Sequence, residues 1–370
     1  MTSSSHNNDC SGRSISLPII QHCLALSSTI HRVQVTGIIR ETADTKTFVL
    51  RPLDGWKPVY AAGQFLTLVF RDGDEEERRS YSVSSAIVRG EPLSITVKKV
   101  DNGLFSRYLL GYITVGDVLS TTGFSGLFCL PQVPDEYENY FFLAAGSGII
   151  PCYALIRALL ATTSKRIILV YSNHTPKDTI FYEQLKTLQQ ENKSRFELRF
   201  LFSDSGHYRD ARLSKPLLQE FLLQYLRMEN DSTMFYTCGP ELYMQVVIIT
   251  LITQGIKKEN IRRESFDSRP RAYMPKPPDE GLHLVTINFH GRVYHLVSGW
   301  PHSILATAKT QQVSIPYSCE AGRCGSCVAT CVSGKVWMAY NEVLTDDELA
   351  RGMILTCQAF PIYGPVEIVV

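Results

Sequence analysis

Cys319, Cys324 and Cys327 stand in the run Y-S-C-E-A-G-R-C-G-S-C, and Cys357 follows in T-C-Q-A-F-P after 29 intervening residues. Three thiolates in one short loop can wrap one face of a metal centre. Gly322 and Gly325 let the backbone turn tightly and aim N–H groups inward at sulfide. Cys357 closes the fourth corner. The C-x4-C-x2-C…C spacing is that of a [2Fe–2S] cluster. A zinc site and scattered core cysteines are the competing readings. Zinc sites usually carry two C-x2-C pairs, and this stretch has only one. The expectation is a cluster that moves single electrons, held by Cys319, Cys324, Cys327 and Cys357.

Four earlier stretches also carry chemistry. Arg79-Ser80-Tyr81-Ser82 ends a predicted strand. An arginine can clamp a phosphate bidentately, and a tyrosine two residues on shares its face and can stack on a flat ring. Ser82 can donate to a ring nitrogen if the strand bends. An ordinary strand with exposed polar residues is the other reading. Asp101–Ser106 is a turn at Gly103 leading into a helix over Ser106–Leu110. Free N–H groups and a positive dipole there suit a pyrophosphate. A plain strand–helix turn is the alternative. Lys98 adds charge beside the phosphates, or is a solvated lysine.

Gly146-Ser147-Gly148-Ile149-Ile150-Pro151 follows a buried strand and opens a helix. Pro151 stands where a dinucleotide fingerprint would have a third glycine, and it suits a first helical turn. Thr237-Cys238-Gly239-Pro240 lies at a second strand end before a helix. The Cys238 thiol contacts a nicotinamide there, or is simply core.

The elements that must position these residues divide the chain. Its 370 residues allow two or three domains, with 44% apolar and 20% charged residues. The net charge of +1 excludes a nucleic-acid or membrane partner held by bulk charge. No apolar run reaches membrane-spanning length. The N-terminus lacks a basic region followed by an apolar core, so secretion is not expected. Residues 1–30 read as a Ser-rich, partly flexible extension, with an apolar stretch at Ser16–Leu26. The six remaining cysteines (Cys10, Cys23, Cys129, Cys152, Cys238 and Cys331) lack disulfide-like spacing. Free thiols beside an iron–sulfur centre fit a reducing cytoplasm.

The fold class expected is multidomain. Over 31–133, short strands at Val33–Arg40, Thr47–Arg51, Gln64–Arg71, Arg79–Ser84 and Leu93–Val100 make an antiparallel β-barrel, closed by a Gly-rich turn at Gly123–Phe128. Over 134–268, strands at Tyr140–Ala145, Arg166–Ser172, Phe196–Ser203, Met234–Cys238 and Ile261–Phe266 alternate with helices at Cys152–Ala161, Lys177–Gln189, Lys215–Arg227 and Glu241–Thr253. That is an α/β doubly wound sheet. Four prolines within 269–281 mark a linker. Over 282–370, a hairpin at His290-Gly291, a helix over Pro301–Lys309 and a closing strand at Val366–Val370 suggest an α+β, β-grasp domain.

R-S-Y-S, T-V-K-K-V, G-L-F-S and G-x-x-G-x-F together resemble the flavin domain of the ferredoxin–NADP reductase superfamily. The resemblance implies FAD rather than FMN. It assigns the pyrophosphate to Arg79, Gly103 and Ser106, stacking on the isoalloxazine to Tyr81, and a place near flavin N5 to Ser82. Ser80, Val97 and Lys98 join the cofactor-binding set. G-x-G-x-x-P and C-G-P resemble the pyridine-nucleotide half of that superfamily. This implies that Gly146, Ser147, Gly148, Pro151, Gly239 and Pro240 line the nicotinamide site. The nicotinamide would then lie between Cys238 and the flavin, with Ser82 and Cys238 as the catalytic pair. Glu264-Ser265-Phe266-Asp267 loosely matches the terminal acid and aromatic group that can cover the flavin in that superfamily; packing of Phe266 in the core or the domain interface is the alternative.

The family's Arg after the second strand is replaced in Asn173-His174. NADH versus NADPH therefore stays open, leaning to NADPH. Residues 282–370 resemble a plant-type ferredoxin, with Cys331 an extra packing thiol. The whole resembles reductase subunits of phenylacetyl-CoA epoxygenase and related oxygenases and desaturases. It implies electron flow from NAD(P)H through FAD and the [2Fe–2S] cluster to a partner oxygenase, hydroxylase or desaturase. A reductase of a hybrid-cluster protein or haem oxygenase, and a redox sensor without turnover, are the alternatives. The ferredoxin-like domain carries six acids and five bases. Tethering rather than strong charge would then bring flavin and cluster together, with the acceptor docking near Glu320–Arg323.

Overall fold

The computed structural model describes residues 7–9, 30–72, 75–206, 211–226, 232–267, 269 and 274–370. The apolar stretch 16–26 and linker residues 270–273 lie outside them. The described residues form two compact units, one over Ile30–Ser265 and a second made of Asn7–Asp9 with Phe266–Val370. A short strand, β1 (Asn7–Asp9), belongs to the second unit.

The first unit opens with β2 (His31–Thr42), β3 (Thr45–Pro52), β4 (Phe65–Asp72), β5 (Glu75–Ser82), β6 (Ser94–Lys98) and β7 (Val118–Ser125), with α1 (Leu104–Tyr112) between the last two. Their order is β5-β4-β7-β2-β3-β6, and a bridge from Val83 to Ile95 joins the two ends into a barrel. Strand alternation turns Val33 and Val35, Phe48 and Leu50, and Leu66 and Leu68 into one buried interior. Gly123–Ser125, expected in a turn, lie in β7 instead. The pairing steps from Thr67↔Gly123 to Leu68↔Thr121, a bulge, and Gly123 takes φ +95° there.

The sheet of the nucleotide half alternates with helices: β8 (Asn139–Ala145), α2 (Ile149–Thr162), β9 (Arg166–Asn173), α3 (Tyr182–Glu191), β10 (Phe196–Phe202), α4 (Lys215–Leu226), β11 (Thr233–Cys238), α5 (Glu241–Thr253) and β12 (Ile261–Glu264). All strands are parallel in the order β10-β9-β8-β11-β12. Phe142 and Tyr171 feed one core with α2, while Phe141 and Val170 feed another with α4 and α5. Burial on both faces explains the near-continuous apolar runs of β8 and β9. Helix α3 starts later than the expected Lys177. Thr175 accepts from the Asp178 N–H to close a separate short turn, and Phe181 takes φ +60° before the helix begins.

The second unit holds β13 (His283–Phe289), β14 (Arg292–Ser298), α6 (Ile304–Thr310), β15 (Val328–Met338), α7 (Asp346–Ala350), β16 (Met353–Leu355) and β17 (Ala359–Val369). The order is β1-β15-β17-β13-β14, with β13 and β17 parallel. His290 and Gly291 turn the hairpin with φ of 51° and 73°. Helix α6 begins at Ile304 rather than Pro301, because the Ser303 hydroxyl caps it by accepting from the Ala306 N–H. Among the described residues, no helix is long and apolar enough to cross a membrane.

Candidate active site and cluster loop

Two glycine turns interlock at the C-terminal ends of β8 and β11. A Cβ on Gly148 would stand 2.0 Å from the Cys238 carbonyl oxygen, and one on Gly239 would stand 2.9 Å from the Ala145 Cβ. Only glycine permits this approach, which joins G-S-G and C-G-P into one surface. Gly146 and Ser147 are half-buried, Gly148 and Pro151 buried, and Pro240 exposed. In a doubly wound sheet this is the edge that receives a nucleotide. Thr237 Oγ1, at the end of β11, is buried without a hydrogen-bond partner among the described residues. Such an orphaned group is costly unless a ligand meets it, so the edge fits a nucleotide. His174, where the family's Arg was expected, shares a 3.0 Å hydrogen bond between Nδ1 and Ser203 Oγ.

Cys238 meets a group that the sequence reading left out of the site. Glu264, the last residue of β12, pairs with Cys238 in register and hydrogen-bonds Ser82 from the barrel. It is 6% exposed, and its Oε2 has no hydrogen-bond partner among the described residues. Burial raises its pKa to about 8, against the counteracting Ser82 bond. Burial also pushes the Cys238 and Cys152 thiols up, and the nearby Glu264 adds to both. The structure thus gathers Ser82, Cys238 and Glu264, while Phe266 is 48% exposed. Glu264 stands in the E-S-F-D stretch, and its carboxyl meets Ser82.

On the barrel, the two expected flavin motifs come together. Arg79 Cζ lies 4.7 Å from the centre of the Phe105 ring, so R-S-Y-S meets G-L-F-S through a cation–π contact. Arg79 also pairs with Glu77 at 2.7 Å. Tyr81 is half-buried against the barrel core, and burial raises its phenol pKa. Ser80 Oγ bonds Thr67 Oγ1 across the strands at 2.9 Å. Ser106 is buried, donating to the Gly103 carbonyl at 3.2 Å and accepting from the Val100 N–H at 3.1 Å. Its hydroxyl therefore closes the turn. The Val97 side chain is buried in the barrel core. Lys98 lies 3.6 Å from Asp44.

The barrel and the nucleotide half are fastened by Arg157 of α2. It ion-pairs with Glu91, donates to the Ser84 carbonyl at 3.4 Å and stacks over Tyr153. No spacing in the sequence announces this contact.

In the second unit the four expected cysteines associate two and two. Cys319 hydrogen-bonds Cys324, Cys327 hydrogen-bonds Cys357, and the Cys357 thiol feels the charge of the other three. Cys319 also accepts backbone N–H bonds from Ala321, Arg323 and Cys324, which together with the Cys324 bond lower its pKa. Cys319 and Cys324 are partly exposed, whereas Cys327 and Cys357 are buried. Thr356 ties the segments together, its N–H donating to the Cys327 carbonyl at 3.0 Å. Gly322 and Gly325 both take φ +73°. Among the described residues, no group of three or more His, Cys, Asp and Glu side chains is set round a single metal ion. Two thiol pairs beside inward N–H groups suit a binuclear cluster, each pair serving one iron. Cys331 is buried and donates to the Ser333 carbonyl at 3.5 Å, in keeping with a packing role.

Three family models match successive parts of the chain. These are an oxidoreductase FAD-binding domain over 32–129, an oxidoreductase NAD-binding domain over 142–248 and a 2Fe-2S iron-sulfur cluster binding domain over 289–361. With the fold and the site, they define a flavin- and iron–sulfur-dependent NAD(P)H oxidoreductase, whose cofactors are FAD and a [2Fe–2S] cluster.

One subunit of the 1,2-phenylacetyl-CoA epoxidase of Escherichia coli is 30% identical, the match covering 92% of this chain and 98% of that protein. The ferredoxin reductase component of 3-ketosteroid-9-alpha-monooxygenase from Rhodococcus rhodochrous is 28% identical over 90% of this chain and 95% of its own length. The fold is that of phthalate dioxygenase reductase, with a TM-score of 0.57 at 23% identity over 92% of this chain and 98% of that one. The chain belongs to the three-domain family of oxygenase reductases that includes this epoxidase component.

Proposed function

We propose that this chain takes electrons from NAD(P)H and delivers them singly to a separate oxygenase, hydroxylase or desaturase in a reducing cytoplasm. FAD, when bound, couples the two-electron nucleotide to the one-electron cluster. The carrying observation is the meeting of Ser82, Cys238 and Glu264 at the joined glycine turns. In this reading Gly148 and Gly239 let the nucleotide approach closely, and Cys238 supports the face of the nicotinamide. Ser82 and Glu264 hold a proton beside the flavin ring. Arg79 and the Gly103 turn bind the pyrophosphate, and Tyr81 orients the ring. Cys319 with Cys324, and Cys327 with Cys357, hold the two irons. The relatives' names, an epoxidase component and a monooxygenase reductase component, support an oxygenase as acceptor.

The purified protein should show flavin bands and a [2Fe–2S] shoulder, both bleached by NADH or NADPH. Cys324→Ser should abolish reduction of one-electron protein acceptors while ferricyanide reduction survives. A colourless protein, or equal loss of both activities, would sink the proposal.

A further inference from the structure

The cluster loop carries one guanidinium turned inward. Arg323 is 14% exposed, and its Nη1 lies 2.9 Å from Asp267 Oδ2. The same nitrogen donates to the Asp267 carbonyl oxygen at 3.3 Å. On its other side, Nε lies 3.5 Å from Glu342 Oε1, a carboxylate only 10% exposed. The Tyr340 ring lies under the guanidinium at 5.8 Å. The backbone repeats the tie, since the Glu342 N–H donates to the Gly322 carbonyl at 3.1 Å. Arg269, 87% exposed, also pairs with Asp267. The loop's other charged contact faces outward: Glu320, 45% exposed, pairs with Lys309 at 2.8 Å. Glu320 is thus open to a docking acceptor, whereas Arg323 is engaged inside its own domain.

Arg323 adjoins Cys324, and its own N–H bonds the Cys319 sulfur. A cluster held by thiolates is anionic and gains one further negative charge on reduction. A permanently charged guanidinium one residue from a ligand favours that state, and two carboxylates beside it oppose it. Partial burial limits screening by salt.

We infer that Arg323, Asp267 and Glu342 form a charge triad that sets the cluster's reduction equilibrium and positions its loop. This rests on the cluster assignment made above. Arg323 pulls the equilibrium toward the reduced cluster, and Asp267 and Glu342 hold it back.

The test is a redox titration of the full-length holoprotein, following the cluster by electron paramagnetic resonance, with iron content measured alongside. Arg323→Gln should load its cluster and shift the equilibrium toward oxidised by at least tenfold, about 59 mV for one electron. Asp267→Asn should shift it the opposite way, and Glu342→Gln likewise but less. A merely structural loosening would move the variants in one common direction. Shifts of common sign, or variants matching the wild type, overturn the triad. Should Arg323→Gln fail to retain iron, Arg323→Lys and Asp267→Asn decide: a wild-type equilibrium in the first with a positive shift in the second supports the triad. An unshifted Asp267→Asn then overturns it. A wild-type protein lacking any cluster signal would instead refute the proposed function.

Discussion

Glu264→Gln isolates the cost of one buried acid. The side chain is 6% exposed, and burial carries its pKa from 4.5 to about 8. At about 1.36 kcal/mol for each pH unit between those values, the ionised form costs the fold on the order of 5 kcal/mol. The sign follows from proton counting. Between the two values the folded protein holds a proton that the unfolded chain has released. Stability therefore falls as pH rises from about 4.5 to about 8, and is level on either side. Glutamine keeps the shape and removes the charge. The variant should match the wild type near pH 5 and become progressively more stable relative to it up to about pH 8. Urea unfolding, followed by the rise of FAD fluorescence on release, measures the gap at each pH. Wild-type and variant curves that run parallel from pH 5 to about pH 9 would refute the reasoning. So would a wild type whose midpoint rises across this window.

Three further outcomes follow from the same geometry. Gly148→Ala places a methyl group 2.0 Å from the Cys238 carbonyl, so FAD should remain bound while NAD(P)H reduces it at least tenfold more slowly; stopped-flow absorbance checks this against dithionite reduction. Arg157→Ala removes one of the two arginines paired with Glu91, which keeps Arg89 and the Ala86 N–H, and should cost about 2 kcal/mol in the same urea assay. Cys152 and Cys238 are fully buried, with thiol pKa values pushed up, so neither should react with iodoacetamide in the folded protein at about pH 8; peptide mapping reads the labels.

The fold was legible where pattern and punctuation agree. The alternation of β2 to β4 and the apolar run of β8 each state their structure locally. Helix starts were less legible. Pro301 looked like a first helical residue, but Ser303 competes for the role by offering its hydroxyl to the Ala306 N–H. Lys177 lies inside a helical periodicity, yet Thr175 and Asp178 close their own turn first. Gly123 read as a turn residue because a bulge and a turn both need a positive φ. In each case a local hydrogen bond or backbone constraint, unseen by periodicity, set the boundary.

The site divides along the same line. Cysteines at C-x4-C-x2-C are close in sequence, so their spacing already limits their geometry, and Cys357 is brought in by a Thr356–Cys327 bond. Glu264 lies far from both partners in sequence. It stands beside Cys238 because β11 and β12 pair in parallel register, and beside Ser82 because the barrel packs on the nucleotide half through Arg157. Neither fact leaves a periodic trace. The strand of Glu264 reads I-R-R-E, charged at three of four positions, so nothing in the sequence marks this acid as the buried one. Its counterpart is Arg323, also turned inward, but with a carboxylate on each side. A buried charge with partners can serve electrostatic tuning, since it stays ionised. A buried acid with one oxygen unpartnered among the described residues stays protonated near neutral pH. It is the group that can hold a proton where the nucleotide and flavin are expected to meet.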